Sequence, residues 1–185
     1  MRKLIVSNMV TADGYFAGPN DEIDWHNVDA EFNDYAIALL ESVDTLVFGR
    51  RTYEVMASYW PTPEALTDDA EVAGRMNDLA KIVFSRTLER ADWRNARLVT
   101  GDIADEMTAM KQQDGKDMVI FGSGSVVAQF TERGIIDEYR LIVNPIALGE
   151  GKSQFAGMSR RVPLHLLGSK AFHSGNVLLT YAPRE

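Results

Sequence analysis

The sequence predicts an α/β protein built on a mostly parallel sheet with helices on both faces and an antiparallel edge at its carboxy-terminal end. Three observations carry this. Short apolar, β-rich runs alternate with segments of helical period between residues 4 and 133, the pattern of strand–helix–strand crossovers. The runs read as continuously apolar, as strands buried on both faces do. Beyond residue 138 only strand-like runs remain, and His173-Ser174-Gly175-Asn176 between the last two is a hairpin signal. The chain has 185 residues, 45% of them hydrophobic and 25% charged, which is globular composition. At this length roughly 70% of the unfolded surface can be buried. No repeat, low-complexity tract or linker divides it, so one domain over residues 1–185 is expected.

The elements follow in order. Leu4-Ile5-Val6 through Met9-Val10 is a strand that ends in a turn at Ala12-Asp13-Gly14, and an aperiodic loop follows. Asp29 caps a helix whose apolar positions Phe32, Tyr35, Ala36, Leu39 and Leu40 recur at helical spacing as far as Val43. Thr45-Leu46-Val47-Phe48 is a strand closed by Gly49, and residues 50–56 resume a helix. Trp60-Pro61-Thr62-Pro63 breaks the chain, and residues 64–76 form helix. Lys81-Ile82-Val83-Phe84 is a strand that halts at Ser85-Arg86. Residues 97–100 are a further strand, 103–113 a helix starting near Asp102, and 118–121 a strand stopped by Gly122-Ser123-Gly124-Ser125. A helix over 126–133 and strands over 139–143, 162–172 and 177–181 complete the reading.

Composition excludes several classes of function. Cysteine is absent, which removes disulfide scaffolds, thiolate zinc sites, iron–sulfur clusters and cysteine nucleophiles, and fits a reducing compartment; a cytoplasmic location is expected. The net charge of −8 works against nonspecific binding to nucleic acid or anionic lipid. Ser7, Asn8 and Asp13 interrupt the first apolar stretch, so no signal-peptide core forms, and no window reaches the length of a membrane span.

The chemistry gathers at three strand ends: Gly49-Arg50-Arg51-Thr52, Ser85-Arg86-Thr87 and Gly122-Ser123-Gly124-Ser125. In open α/β sheets ligands bind at the carboxyl edge, and glycines before a helix let backbone amides approach a phosphate that the helix dipole favours. Arginine forks beside hydroxyls suit phosphate oxygens, so a phosphorylated nucleotide is the natural ligand. Taken singly, each arginine is an ordinary strand-end charge and each Gly-x-Gly a tight turn; three together shift the reading. The glycine loop is not a Rossmann fingerprint, because Val127 stands at the third glycine position. Gly149-Glu150-Gly151-Lys152-Ser153 lacks the first glycine of a P-loop, where Ile146 stands, and reads as a surface turn.

Other sites are weaker. His26, His165 and His173 have no metal-ligand spacing, so no metal is expected; His26, beside Trp25 in the long loop, is the one placed to line a cleft. No Gly-x-Ser-x-Gly elbow for a hydrolase nucleophile occurs at a strand end. Asp13, Asp29, Glu31 and Glu54 lie near strand ends or the first helix, where a partly buried carboxylate can donate a proton, although such residues are more often caps or solvated charges.

These motifs together resemble the dihydrofolate reductase superfamily, nearest its branch of riboflavin-biosynthesis-type reductase domains, which also occur as small stand-alone proteins. The resemblance runs nearly end to end. It rests on the stretches from Thr11 to Gly18, from Val47 to Glu54 and from Val83 to Thr87, on Ile120-Phe121-Gly122-Ser123-Gly124-Ser125 followed by Ile136-Asp137-Glu138-Tyr139, and on Pro145, Leu148, Gly149, Gly151 and Phe155. It implies a three-layer α/β/α fold of dihydrofolate-reductase type. It also implies NADPH as hydride donor, with Gly49, Arg50, Arg51, Thr52, Ser85 and Arg86 around the adenosine and its 2′-phosphate and Gly122, Ser123, Gly124, Ser125 and Val126 at the pyrophosphate. The superfamily often has a cis Gly-Gly peptide at the start of that loop. The second residue here is Ser123, where a cis bond costs about 3 kcal/mol, so the isomer is left open. The zinc deaminase domain often attached to the riboflavin enzyme needs cysteines that this chain lacks.

On the substrate side the sequence departs from folate reductases. Their Pro-Trp pair is Asp24-Trp25 here, and the carboxylate expected five residues on is replaced by Ala30, flanked by Asp29 and Glu31. The residues aligned with the folate-clamping arginine and the pteridine-site threonine are Leu79 and Leu141. The expectation is a reductase acting on a small heterocycle, imine or carbonyl compound. Glu31 and Asp13 are the catalytic candidates, and Trp25, Asp29 and Tyr53 the substrate contacts. The cleft is expected between the loop over 13–24, the start of the first helix and residues 49–53. The alternatives are a divergent dihydrofolate reductase and a non-catalytic NADPH sensor or scaffold. The resemblance also implies a homodimer.

Overall fold

The computed structural model describes residues 1–184. In chain order the elements are β1 (Leu4–Thr11), α1 (Ala30–Ser42), β2 (Val43–Gly49), α2 (Arg50–Tyr59), α3 (Pro63–Asp68), α4 (Ala70–Asp78), β3 (Ala80–Phe84), β4 (Ala96–Val99), α5 (Ile103–Lys111), β5 (Asp117–Ile120), α6 (Gly124–Glu132), β6 (Glu138–Asn144), β7 (Leu164–Ala171) and β8 (Val177–Pro183). One eight-stranded sheet runs in the order β4-β3-β2-β5-β1-β6-β8-β7. Pairing is parallel from β4 to β6 and antiparallel on both sides of β8, which makes the expected carboxy-terminal edge.

The continuously apolar strands are buried on both faces. Leu4 and Val6 of β1, Val47 of β2 and Met118 and Ile120 of β5 pack with Met107 and Met110 of α5 and Val126, Val127 and Phe130 of α6. The intervening residues Ile5, Leu46, Phe48 and Val119 pack on the opposite face with Leu39 and Leu40 of α1, Tyr53 of α2 and Val72 and Met76 of α4. This is a three-layer α/β/α arrangement. Each fully buried aliphatic side chain stabilises it by about 1.5–3 kcal/mol.

Local chemistry sets the boundaries. Asp29 Oδ1 accepts the Phe32 amide at 2.8 Å and starts α1. The helix expected over 64–76 is two helices. Thr62 caps Pro63–Asp68, and Asp69 then leaves helical geometry at φ −151° while its carboxylate accepts the Val72 amide at 3.0 Å and starts α4. Helix α6 begins two residues before the expected start, at Gly124, because Gly122 and Ser123 form a left-handed turn with φ of 66° and 55°.

The strand order positions the site. β5 is inserted between β1 and β2, so the chain crosses from β1 to β2 over a gap that β5 later fills. The carboxyl ends of β2 and β5 are therefore neighbours, and α2 and α6 start beside one another there. The loop over 12–28 runs along the same edge. It pairs with the loop after β6, where Ala17 bridges Lys152, so the Gly149–Ser153 stretch is an ordered turn.

A candidate nucleotide cleft at the carboxyl edge

Side chains knit the two helix starts together. Ser123 Oγ accepts the Gly49 amide at 2.6 Å and donates to Thr52 Oγ1 at 3.0 Å, and the Ser123 amide donates to Thr52 Oγ1 at 2.9 Å. On the other side Asn8 Oδ1 accepts the Gly122 amide at 2.6 Å, while Asn8 Nδ2 donates to Gln154 Oε1 at 2.8 Å. Gly122 is required twice over. Its φ of +66° suits glycine, and a Cβ there would stand 2.6 Å from Thr52 Oγ1. Gly49 is required by close approach, since its Cβ would meet Ser123 Oγ at 2.8 Å. The first-turn amides of α2 and α6, which a helix leaves without internal acceptors, thus lie together, and no side chain caps either helix.

From this point a cleft of about 990 Å³ runs inward between the sheet and α1. Ser7, Met9, Phe121, Gly122 and Ile142 line the sheet side, Phe32, Tyr35 and Leu39 the helix side, Arg50, Arg51 and Thr52 the mouth, and Phe16, Ile23 and His26 the loop. Most of the inner lining is apolar. Within it Ser7 Oγ and Tyr35 Oη form a polar pair, 2.9 Å apart. The Arg140 guanidinium acts on this phenol from β6 and is held at 2.7 Å by Glu138. Burial pushes the Tyr35 hydroxyl above its ordinary range, with Ser7 and Arg140 opposing. His26 is half-buried with no partner for Nε2, and burial pushes its pKa down to about 4, so it is neutral at physiological pH.

The model of the RibD C-terminal domain matches residues 2–178. The chain belongs to the family of RibD C-terminal domains. It is 32% identical over 182 residues to the uncharacterized protein YyaP of Bacillus subtilis (strain 168), covering 97% of this chain and 94% of YyaP. Among solved structures it is similar to a putative riboflavin biosynthesis protein from Shewanella sp. PV-4, with TM-score 0.76, 24% identity and 99% of each chain covered. It is also similar to dihydrofolate reductase from Enterococcus faecalis complexed with NADP(H), with TM-score 0.66, 17% identity and coverage of 99% of this chain and 97% of that one. The dihydrofolate-reductase-like fold expected from the sequence is the fold observed.

This RibD C-terminal domain distributes the residues singled out in its sequence unevenly. Gly49, Arg50, Arg51, Thr52, Gly122, Ser123, Gly124, Ser125 and Val126 converge on the paired helix starts. Ser85 and Arg86 follow the next strand, β3, outside the cleft lining. Ser85 Oγ accepts the Thr87 and Leu88 amides, and Arg86 is exposed. The acids expected to act in catalysis are not in the cleft lining. Glu31 accepts from the backbone amide of His173 at 2.9 Å and pairs with His173 Nδ1 and Lys170, contacts that hold its carboxyl down at about 2. Asp13 accepts from Thr11 Oγ1 at 2.6 Å and from the Leu148 and Gly149 amides, which hold it below the usual carboxylate range. Asp29 is the α1 cap, Trp25 Nε1 donates to the Glu22 carbonyl, and Tyr53 Oη accepts the Trp93 amide in the core. The sequence reading passed over Tyr35 and Ser7 as site residues. The available signal was a hydroxyl and an amide, Ser7 and Asn8, interrupting a strand whose every residue is buried.

The residues present fit a phosphorylated dinucleotide. Two uncapped helix starts supply amides, Gly122 and Gly49 keep the approach clear of Cβ atoms, and Arg50 and Arg51 stand at the mouth. Both arginines have carboxylate neighbours, Arg50 with Glu54 at 3.2 Å and Arg51 with Asp21 at 3.6 Å, on exposed side chains that a phosphate can displace.

Proposed function

We propose that this protein is an NADPH-dependent reductase of a small heterocyclic, imine or carbonyl compound, working as one domain in the cytoplasm. The observation that carries the reading is the continuity of the cleft. It opens where the starts of α2 and α6 meet beside Arg50 and Arg51 and continues inward to a largely apolar lining, about 990 Å³ in all. Bound NADPH supplies hydride. The protein orients the two partners, and Phe16, Ile23 and His26 of the loop cover them from water. Gly122 to Val126 hold the pyrophosphate, and Arg50, Arg51, Ser85 and Arg86 hold the adenosine end and its 2′-phosphate.

The test is fluorescence titration with NADPH and with NADH. NADPH binds more tightly, and the combined Arg50→Ala and Arg86→Ala variant loses affinity for it by roughly tenfold per arginine while NADH binding changes little. A folded protein that binds neither nucleotide sinks the reading. Steady NADPH oxidation with a substrate panel that includes dihydrofolate then separates this reductase from a folate reductase and from a sensor. A second copy of the chain is the proposed partner of β7, where Leu166 and Leu167 are more than half exposed on the edge strand. Sedimentation of Leu166→Lys as a monomer against a wild-type dimer tests that assembly.

A further inference from the structure

The inner end of the cleft carries acid–base groups that the sequence motifs did not mark. The lining carboxylates Asp21, Glu54, Asp68 and Asp69 are exposed or lie toward the mouth and rim, and Glu31 and Asp29 are spent on the hairpin and the helix cap. His26 is neutral near pH 7, so it accepts or donates a hydrogen bond but holds no proton to give up. Tyr59 is exposed and its hydroxyl donates to Asp68. What remains against the apolar lining is the Tyr35 hydroxyl, 2.9 Å from Ser7 Oγ, with the Arg140 guanidinium acting on it from β6 and Glu138 fixing that guanidinium. We infer that Tyr35 is the proton donor of the reaction, and that the substrate is a neutral acceptor whose reducible oxygen or nitrogen faces Tyr35 and Ser7. This rests on the reductase reading.

The positions support the assignment. Ser7 and Arg140 are register partners in the parallel β1–β6 pair, so their side chains rise from the same face of the sheet, the one α1 covers. Tyr35 is held over them by tilted contacts with Phe32 at 6.1 Å and Phe172 at 6.2 Å. Either hydroxyl can donate in the Ser7–Tyr35 contact, so the pair reverses without moving an atom heavier than hydrogen. With substrate present, Ser7 donates to Tyr35 Oη and the Tyr35 proton points at the acceptor. A nicotinamide bound in the cleft would supply hydride to the electrophilic carbon, whose π bond would then break toward its oxygen or nitrogen. That atom takes the Tyr35 proton, and the phenolate is stabilised by Arg140 and Ser7 until water reprotonates it. A cationic acceptor needs no such proton and meets a guanidinium near Tyr35, so the site selects neutral compounds.

Two probes test this on the intact protein. The first needs no cofactor: the infrared carbonyl stretch of bound 4-nitrobenzaldehyde shifts to lower frequency in the wild type, and the shift disappears in Tyr35→Phe. The second compares NADPH oxidation by 4-nitrobenzaldehyde with oxidation by N-methylacridinium, which accepts hydride without a proton. Tyr35→Phe is expected to lose on the order of 100-fold with the aldehyde and less than about threefold with the cation. NADPH affinity, measured by fluorescence, stays at the wild-type value and shows that the variant is folded. Equal losses on both acceptors, no loss on the aldehyde, or a carbonyl band unmoved by the substitution overturns the proposal. A wild type that binds NADPH and reduces neither acceptor overturns the reductase reading and this proposal with it, whereas a discrepancy confined to Tyr35→Phe leaves that reading standing.

Discussion

Ser123 Oγ accepts the amide of Gly49 at 2.6 Å, tying together the starts of two helices that are 74 residues apart in the chain. The bond uses the one amide of Gly49 and places a hydroxyl where the α2 start would otherwise face the α6 start unsatisfied. Ser123→Ala is expected to cost about 1–2 kcal/mol, read from the urea midpoint, because the buried Gly49 amide and Thr52 hydroxyl both lose a partner. NADPH affinity falls with it, since the two sets of first-turn amides no longer share one geometry.

Gly122 gives a sharper version of the same argument. Gly122→Ala places a methyl 2.6 Å from Thr52 Oγ1 and demands a left-handed conformation of a residue that disfavours it. The expected cost is about 1–3 kcal/mol in urea unfolding. The combination with Thr52→Ser, which removes the methyl 2.7 Å from the new Cβ but keeps the hydroxyl, recovers part of it. No recovery would locate the cost in the backbone conformation and the retained hydroxyl contact, not in the methyl.

Much of this arrangement was legible in the sequence. Strands such as Leu46-Val47-Phe48 and Met118-Val119-Ile120 are apolar without alternation because both faces are covered, and glycine with arginine or serine at their ends marks the sheet edge where the cleft opens. The break at Asp69 was not legible, since Thr67-Asp68-Asp69-Ala70 fits a helix and only the backbone turn at Asp69 interrupts it. Glu31 illustrates a larger gap. Its partners His173 and Lys170 lie about 140 residues away on the hairpin, so its position suggested catalysis until tertiary contacts assigned it an ion pair. Tyr35 sits at a helical core spacing with Phe32 and Leu39 and reads as packing. Its hydroxyl gains meaning only when β1 brings Ser7, and β6 Arg140, beneath it.

The Glu31 contacts carry a pH signature. Its folded pKa is lowered from 4.5 to about 2, first by the His173 amide and then by Lys170 and the His173 ring. A lowered carboxylate pKa means that the unfolded chain takes up the proton first on acidification. The stability contributed by Glu31 is therefore present above pH 4.5 and lost as pH falls toward 2. Thermal unfolding of wild type and Glu31→Gln should differ at pH 6, with the wild type more stable, and converge as the pH approaches 2. A constant difference across that range would mean that packing, not charge, distinguishes them.

Lys81 makes the opposite case at high pH. It is fully buried between β3 and the end of α4, where Nζ donates to the carbonyls of Asn77 at 2.8 Å, Leu79 at 2.8 Å and Arg94 at 3.0 Å and lies 4.5 Å from the centre of the Trp93 ring. No carboxylate is among these partners, so desolvation dominates and lowers its pKa from 10.5 to about 8. Between those two values the unfolded chain binds more protons than the folded one, so stability rises with pH in that window. Below pH 8 both states are protonated and the burial cost is fully present. The urea midpoint of the wild type should therefore gain on that of Lys81→Met as pH is raised from 8 to 10. Below pH 8 the variant stays less stable, because Met leaves the Leu79 and Arg94 carbonyls without the lysine donor and the Asn77 carbonyl with Arg94 Nε alone. A wild-type midpoint that fell relative to Lys81→Met over the same interval would show that the three carbonyls and the Trp93 face hold the ammonium more strongly than burial opposes it.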